Sequence, residues 1–482
     1  MQFIESVGSL DELGDLLDRT VEETGSIERF LEWDGSFGKL LRTLKPSLKG
    51  SARSELLKYT ENWAVRSTLA LDSSSLTNSQ LANALLFFPE AVVSYSEDEV
   101  PEGLSSFDSQ QADLILLNRT NLDKFRDLIS RESLAPGQLS PEMLLELAFA
   151  AAAYRIPDEK KFVSSLIALV DQNTWQSKLI AKVLVKRKNR LSVRRAFREK
   201  AAGRTAVIVA GQMRGIDRSL PALRQAMSKL DADFYVSTWD QPGRIKLDRA
   251  RAARIFTQEA AERVEGLSDN QISELNNTIK VRTHFAPEEM ERRIRDALPL
   301  RDSTSSLSIN IEDGSKTVFR IMNNPQKMYY HNFYWPIVLG NNYFSEEYDY
   351  VVKVRPDIKF ADNRRLTLAD LRASSNKVAT ESTDWKFESW GLGAGDQIVY
   401  GNSEIMERVL SIWPGNCESA DIRTRMRGKR EPLLGHSNIG IEVWLEGVDV
   451  TRSALGHQGY FGDTLIDVKE LDELLTQNNT IS

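Results

Sequence analysis

The run TAVIVAG, residues 205–211, constrains the fold of this chain more than any other feature. It has six consecutive apolar or β-branched residues and ends in Gly211. A continuous run of this kind, without polar alternation, is typical of a strand that is buried on both faces of a parallel sheet. The amphipathic segment RSLPALRQAMSKL and a second apolar run, ADFYVSTWD, follow it. This β-α-β order predicts an α/β domain that begins at Thr205.

Segments typical of strands and of helices continue to alternate further along the chain. YDYVVKVRPDIKF (348–360) predicts a strand of seven or more residues, and DQIVYG (396–401) predicts another strand. Helices are predicted at 328–344, 403–413 and 430–446. This alternation predicts a mostly parallel sheet with helices on both faces. Such sheets bind their ligands at the carboxyl ends of the strands.

Residues 1–200 have the apolar periodicity of helices. Leu, Ile and Phe recur at three- and four-residue spacing in 9–23, 51–71 and 121–134. Ser140 followed by Pro141 is typical of an N-cap with proline at the first helical position, and the predicted helix ends before Pro157. The segment 1–180 is therefore predicted to be an α-helical accessory domain, and no cluster of His, Asp or Glu in it indicates chemistry.

The composition limits the compartment and the chemistry. Cys417 is the single cysteine, so an intrachain disulfide and a Cys-based zinc site are excluded and a reducing compartment is expected. The four histidines lack the H-x-x-x-H spacing of zinc hydrolases. The amino terminus does not have the pattern of a signal peptide, and the longest apolar stretch, Met143 to Tyr154, is too short to span a bilayer. We therefore expect a cytoplasmic protein.

The net charge of −7 conceals one strongly basic segment. Residues 181–204 carry ten Lys or Arg residues and one acid, Glu199. One interpretation is a solvated linker helix between two domains. The other is peripheral contact with anionic lipid headgroups at the inner face of the membrane, to which each Lys or Arg contributes about 1 kcal/mol. Nucleic acid is not an expected partner, because no aromatic-rich basic repeat or nucleic-acid motif accompanies the segment.

Polar residues flank the strand ends at which a ligand would bind. Glycine lets the backbone approach a ligand closely, and the planar guanidinium of Arg214 suits phosphate. An acid in the position of Asp240 can accept hydrogen bonds from a ribose. The candidates are Gly211, Gln212 and Arg214 after the first strand, Asp240 after the second, Arg355 and Asp357 after the third, and Asp396 and Gln397 at the start of the fourth.

The segment Arg355-Pro356-Asp357 is the strongest of these signals. An apolar strand ends there, and proline fits a strand end because it cannot donate to the sheet. Asp357 suits a hard divalent cation, whereas Arg355 suits an adjacent phosphate or a salt bridge that holds Asp357. His436, in the last predicted helix, can complete a metal shell.

Two further acids are candidates for a general base. Asp396 follows the glycine-rich segment GLGAG, which lets the chain bend over a substrate. Glu431 starts the last predicted helix, where the helix dipole already explains an acid. Every candidate also has a structural interpretation: a turn glycine or aspartate, an N-cap, an Arg–Asp pair, or an ordinary histidine.

Taken in order, these motifs resemble a known family. GQMRG, FYVSTWD, QKMYY, YDYVVKVRPDIKF, GDQIVYGNSEIM and EPLLGHSNI occur in sequence, as in the bacterial GT-A-type glycosyltransferases of the WavE-like group, which act in surface-polysaccharide (LPS or capsule) biosynthesis. The resemblance covers residues 204–450 approximately. It implies a GT-A-like catalytic domain at 205–482 that transfers a sugar from a nucleoside-diphosphate sugar to a glycan or lipid-linked acceptor.

The resemblance also implies roles for individual residues and a cofactor, Mn²⁺ or Mg²⁺. Arg355-Pro356-Asp357 takes the place of the D-x-D metal motif, so Arg355 replaces the first acid and metal-free transfer stays open. The implied donor-binding residues are Gly211, Gln212, Arg214, Asp240, Gln326, Arg355 and Gln397. The implied metal ligands are Asp357 and His436, and the implied catalytic acids are Asp396 and Glu431.

Two other classes of function remain open. A nucleotidyl- or phosphotransferase would use the same kind of sheet, but the sequence lacks the glycine-rich phosphate loop and lysine of P-loop enzymes. The main alternative is a non-catalytic nucleotide-sugar-binding or scaffold protein with a vestigial transferase domain. The arginine at position 355 is the best support for that alternative.

Overall fold

The computed structural model describes residues 105–478 apart from gaps within that range. The gaps are 106, 118, 132–133, 193–196, 198, 241–246, 248–251, 253–254, 283–285, 299–304, 315–321, 341, 362–363, 383, 389–390, 414–421, 423–433 and 461–465. The helices predicted at 9–23 and 51–71, and the candidate base Glu431, lie outside the described residues.

The described elements are numbered here in chain order. The helices are α1 Ser109–Leu116, α2 Arg119–Ser130, α3 Pro141–Ala153, α4 Glu159–Ala168, α5 Trp175–Ser192, α6 Ile216–Met227, α7 Gln258–Glu265, α8 Asp269–Arg282, α9 Pro287–Ala297, α10 Asn324–Leu339, α11 Tyr343–Glu347, α12 Leu368–Ala373, α13 Ser403–Leu410, α14 Gly435–Leu445 and α15 Val468–Asn478. The strands are β1 Thr205–Ala210, β2 Ala232–Trp239, β3 Leu307–Glu312, β4 Tyr350–Val354, β5 Ile358–Phe360, β6 Lys377–Thr380, β7 Lys386–Glu388, β8 Gly391–Gly393, β9 Ile398–Asn402, β10 Asp449–Arg452 and β11 His457–Tyr460.

The chain forms two compact units, and the first is built around α3. This unit comprises residues 1–193, 385–393 and 422–430. Ser140 caps α3 by accepting a hydrogen bond from the backbone N–H of Met143, with proline at the first helical position, as the sequence predicts. Every residue from Met143 to Ala152 is buried, because α1, α4 and α5 and the β7–β8 hairpin all pack on this helix. The hairpin comes from far along the chain, so the unit is more than its N-terminal helices.

The basic segment 181–204 begins inside this first unit. The helix α5 starts at Trp175 and ends at Ser192, and residues 199–204 are not helical. Arg187 on α5 is only 3% exposed, and its guanidinium donates to the Glu159 carboxylate over 2.8–3.0 Å. One of the ten cations of the segment is therefore buried in an ion pair and is not available to solvent or to lipid.

The second unit is built on a seven-stranded sheet. Its strand order is β10-β6-β9-β4-β1-β2-β3. Only β9 runs antiparallel to its neighbours, and the other paired strands are parallel. All six residues of β1 are buried, as expected for its uninterrupted apolar run. The prediction of a mostly parallel α/β sheet is confirmed.

Helices cover both faces of this sheet. On one face, α6 and α9 pack against Val207 and Val209 of β1 and Val236 of β2. On the other face, α10 packs against β1 and β2, and α13 packs against β4 and β9. A further helical cluster, formed by α7, α8 and α15, has its own core around Phe256 and Leu275, and the sequence analysis did not predict it.

Three predicted boundaries differ from the structure. The strand predicted within 348–360 ends before Pro356 as expected, but β4 has five residues instead of seven or more, and β5 after it pairs with β11. Helix α10 starts at Asn324, four residues before the prediction, and ends before Gly340. Helix α14 starts at Gly435. No helix among the described residues is long and apolar enough to cross a membrane.

Candidate functional site at the carboxyl edge of the sheet

The reversed strand β9 brings separate parts of the sequence to one edge of the sheet. Because β9 is antiparallel to β4, its amino end, with Asp396 and Gln397, lies where β4 has its carboxyl end. The backbone N–H of Arg355 donates to the Gln397 carbonyl over 2.9 Å and closes this junction. The polar residues predicted after β4 and before β9 are therefore adjacent at this point.

Arg355 and Arg214 share one buried carboxylate, that of Asp357. Nε and Nη2 of Arg355 lie 3.1 and 2.9 Å from the two Asp357 oxygens, and Nη1 of Arg214 lies 3.5 Å from Oδ2. The Asp357 side chain is 1% exposed, whereas those of Arg355 and Arg214 are 28% and 27% exposed. Asp357 is thus committed to two cations, and both guanidinium groups are partly exposed to solvent. We call these three residues the arginine clamp.

Neighbouring residues hold the clamp in place. Arg214 also donates to the Gln212 side chain over 2.8 Å, which connects it to the segment after β1. Gly211 has a φ of +133°, which glycine adopts without strain, and the Pro356 ring lies 3.4 Å from where a Cβ would stand. Gly211 and Gln212 therefore shape and orient the clamp.

Glu381, Asp396 and His436 form a second group, which we call the acid–histidine group. One ligand atom from each lies within 4.8 Å of the others. Glu381 directly follows β6, Asp396 precedes β9, and His436 is on the first turn of α14. The sequence analysis missed Glu381, because the short strand before it was not recognised. Of the two predicted metal ligands, His436 lies beside these two acids, whereas Asp357 is part of the arginine clamp.

The backbone is shaped to hold these two carboxylates. Glu381 accepts hydrogen bonds from the backbone N–H groups of Asp396, Gln397 and Ile398 over 3.0–3.2 Å. A Cβ at Gly395 would overlap Glu381 Oε2, and one at Gly435 would overlap Asp396 Oδ2. Side chains at these two glycine positions would push the carboxylates away.

His436 has a fixed ring orientation. Its Nδ1 lies 3.0 Å from the Ala394 carbonyl oxygen and 3.6 Å from Asp396 Oδ1. The carbonyl can only accept, so Nδ1 donates this hydrogen bond. In the neutral ring with a proton on Nδ1, Nε2 is the atom that can bind a metal ion.

A lysine is buried beneath both groups. Lys353 on β4 is fully buried, and its ammonium donates to the backbone carbonyl of Asp396. Burial, together with the charge of Arg355, lowers the pKa of Lys353 to about 8, although the charges of Asp396 and Glu381 oppose the shift. Lys353 is therefore an internal countercharge for the two carboxylates.

Tyr460 and Gln397 lie between the two groups. The Arg355 guanidinium stands 4.9 Å from the Tyr460 ring centroid, and the Gln397 amide donates to the Tyr460 hydroxyl. The Oε1 atom of Gln397 is buried without a hydrogen-bond partner among the described residues. An oxygen in that state can accept a hydrogen bond from a ligand hydroxyl.

Two other predicted donor-binding residues have structural partners. Asp240 is buried just after β2 and accepts from the backbone N–H of Gly314 over 2.9 Å. Gln326 forms a capping box with Asn323 at the start of α10. These contacts agree with the turn and capping interpretations, and neither residue is part of the two groups described above.

The chain matches no protein-family model, no curated protein and no solved structure. The chemistry of the site therefore has to be argued from its own residues. The arginine clamp is suited to a phosphate group, and the acid–histidine group offers oxygen and nitrogen donors to a cation. The two groups flank the same strand ends, at the edge where parallel sheets bind ligands.

Proposed function

We propose that this protein is a glycosyltransferase that uses a nucleoside-diphosphate sugar. One observation carries the proposal: an arginine clamp ordered by a buried carboxylate stands beside an acid–histidine group at the carboxyl edge of the sheet. An anion such as diphosphate would lie against Arg214 and Arg355, because their guanidinium groups are partly exposed while their shared acid is not. In this proposal the domain is GT-A-like and related to the WavE-like group.

The proposed chemistry follows from charge. Breaking the bond between the sugar and the diphosphate develops negative charge on the leaving group, and preorganised arginines stabilise that charge without reorganising. Asp357 fixes both guanidinium groups before the reaction starts. Gln397 would bind a hydroxyl of the donor sugar through Oε1, once its amide turns out of the buried position. The acceptor in this proposal is a glycan or a lipid-linked sugar.

A divalent cation fits this site. Mn²⁺ or Mg²⁺, when bound, supplies additional charge stabilisation to a leaving diphosphate. Carboxylate oxygens and an imidazole nitrogen, which the acid–histidine group provides, are donors that such ions accept. Asp357 does not fit as a ligand, because both of its oxygens already bind arginines.

A thermal-shift panel tests the proposal. UDP-, GDP- and CMP-sugars are added to the full-length protein with Mn²⁺ or with EDTA, and we expect one nucleotide class to raise Tm by several degrees. Arg355→Gln should abolish this rise, while Arg218→Gln, which removes an exposed cation on α6, should retain it. If no nucleotide sugar raises Tm in either buffer, the proposal is refuted.

The second candidate is a non-catalytic nucleotide-sugar-binding protein. Its support is Arg355, which stands where the related motif has an acid and which occupies Asp357 in an ion pair. The two candidates differ in turnover. Donor binding that raises Tm, without donor hydrolysis or transfer to any glycan fraction over hours, favours the binding protein.

A further inference from the structure

We infer that Glu381, Asp396 and His436 form the divalent-cation site of this protein and that Asp357 lies outside it. The inference depends on the proposed function only for what the cation does in a reaction. The argument for cation binding comes from the three side chains themselves, which follow β6, precede β9 and start α14, and which meet within 4.8 Å.

The donor set selects the class of ion. Two carboxylates and one imidazole suit Mn²⁺ better than Ca²⁺, which takes oxygen ligands almost exclusively. An ion about 2.1 Å from each of two donors holds them no more than about 4.2 Å apart. The observed spacing of up to 4.8 Å between one ligand atom of each residue is somewhat wider than that limit, so the side chains have to move closer to hold an ion.

The charges around the two groups also favour the acid–histidine group as the cation site. In the arginine clamp, one carboxylate faces two guanidinium groups, so Asp357 is already more than neutralised. In the acid–histidine group, the Lys353 ammonium donates to the backbone carbonyl of Asp396, and both carboxylates of the group interact with its charge. A dication would add to the positive charge that these two carboxylates meet.

The position of His436 supports a ligand role independently. A histidine that binds a metal typically donates its other ring N–H to a carbonyl or carboxylate, which fixes the tautomer. The Nδ1 proton of His436 points to the Ala394 carbonyl in this way, at 3.0 Å. The missing Cβ atoms at Gly395 and Gly435 give both carboxylates the space to lie beside this ring.

The test measures Mn²⁺ binding directly, by the electron paramagnetic resonance signal of the free ion, on the full-length protein without any nucleotide. We expect one Mn²⁺ to bind the wild type. Glu381→Gln, Asp396→Asn and His436→Gln should each weaken binding at least tenfold. Asp357→Asn, and the control Asp217→Asn, which removes an exposed carboxylate on α6, should stay within about threefold of wild type.

Stability is measured in EDTA to separate folding from binding. Glu381→Gln loses part of an acceptor for three backbone N–H groups and is the variant most at risk of unfolding. If it unfolds, Gly435→Ala replaces it in the series, because the added methyl group displaces Asp396 without removing a ligand atom. Gly435→Ala should also weaken Mn²⁺ binding.

Three results would overturn the inference: a wild type that does not bind Mn²⁺, folded variants of the group that bind it normally, or a loss in Asp357→Asn as large as theirs. The thermal-shift panel in EDTA keeps the proposed function separate. If nucleotide binds in EDTA but the protein does not bind Mn²⁺, only the cation site is refuted. If Mn²⁺ binds but no nucleotide does, only the transferase proposal is refuted.

Discussion

Arg355 and Asp357, separated by Pro356, face each other in a two-bond ion pair, with Nε 3.1 Å from Oδ1 and Nη2 2.9 Å from Oδ2. Proline turns the chain between them, so the two side chains return to the same side. Arg214 approaches the same carboxylate from β1's carboxyl end. At the end of β4, the partly exposed guanidinium groups of Arg355 and Arg214 therefore lie over the buried carboxylate of Asp357.

Removing the shared acid should loosen the clamp. We expect Asp357→Asn to weaken nucleoside-diphosphate binding about tenfold, because both arginines lose the partner that orders them and about 0.5–1.5 kcal/mol per side chain is spent on reordering. Asp357→Ala should abolish sugar transfer. Titration calorimetry in EDTA measures the affinity without any cation, and wild-type affinity in both variants would remove Asp357 from the site.

Asp396 is the predicted general base and also a ligand in the inferred cation site. We expect Asp396→Asn to lower kcat by about 10²–10⁴-fold, the usual contribution of general-base catalysis. The measurement that separates the two roles is Mn²⁺ affinity in the same variant. Reduced kcat with unchanged Mn²⁺ affinity would assign Asp396 as the base alone, whereas a large loss in Glu431→Gln with little loss in Asp396→Asn would transfer the base role to Glu431.

His331 should make the fold sensitive to acid. It is fully buried on α10, bonded to the Ser237 hydroxyl over 2.8 Å and stacked on Trp239, and burial together with the charge of Lys327 lowers its pKa to about 3. Below pH 6.5 the histidine binds a proton in the unfolded chain but stays neutral in the folded chain. The free energy of unfolding therefore decreases as the pH is lowered. Between pH 6.5 and 5 we expect a loss of about 2 kcal/mol from this residue.

The control for this prediction is His331→Gln, which has no titrating ring. Urea unfolding of both proteins at several pH values isolates the contribution of His331, since the other titrating groups are common to both. Equal pH dependence in wild type and variant would show that His331 does not supply the effect.

The second unit should fold alone only if the hairpin is changed. A fragment that begins near residue 200 keeps Trp385 and Leu392, which are 7% and 0% exposed and belong to the first unit, where Phe387 also contacts Tyr154. We expect this fragment to aggregate. The same fragment with residues 385–393 replaced by a Gly/Ser loop should stay monomeric on gel filtration and bind nucleotide, and aggregation of both would argue against an independent domain.

The basic segment should separate into one buried cation, Arg187, and several cations that are exposed or half-buried. Arg187→Gln leaves Glu159 without its partner, and we expect a loss of about 3–5 kcal/mol in unfolding free energy, as for other buried pairs.

If the segment docks on membrane, replacing Lys182, Lys186, Lys188 and Arg190 with Gln should abolish binding to anionic vesicles without unfolding the protein. Vesicle binding should also fall steeply with salt. Absence of binding at low salt would return the segment to the linker interpretation.

The sequence by itself determined the elements whose signals are local. The apolar run at Thr205 specified a strand buried on both faces, and Ser140 with Pro141 specified the start of α3. The polar residues after β1 and β4 were also visible, because parallel strands expose their last residues at one edge. These features depend on neighbours in the chain, and the structure agrees with them.

Only the tertiary structure decided which of these residues meet. The reversal of β9 puts Asp396 beside Glu381, which follows a strand of only four residues and carries no motif of its own. The sequence favoured a metal ligand at Asp357 over a salt bridge, whereas in the structure Arg355 binds both of its oxygens and Arg214 approaches it from a distant strand. The hairpin that belongs to the first unit was hidden for the same reason. Strand order and direction fix contacts between residues far apart in the chain, and no local pattern encodes them.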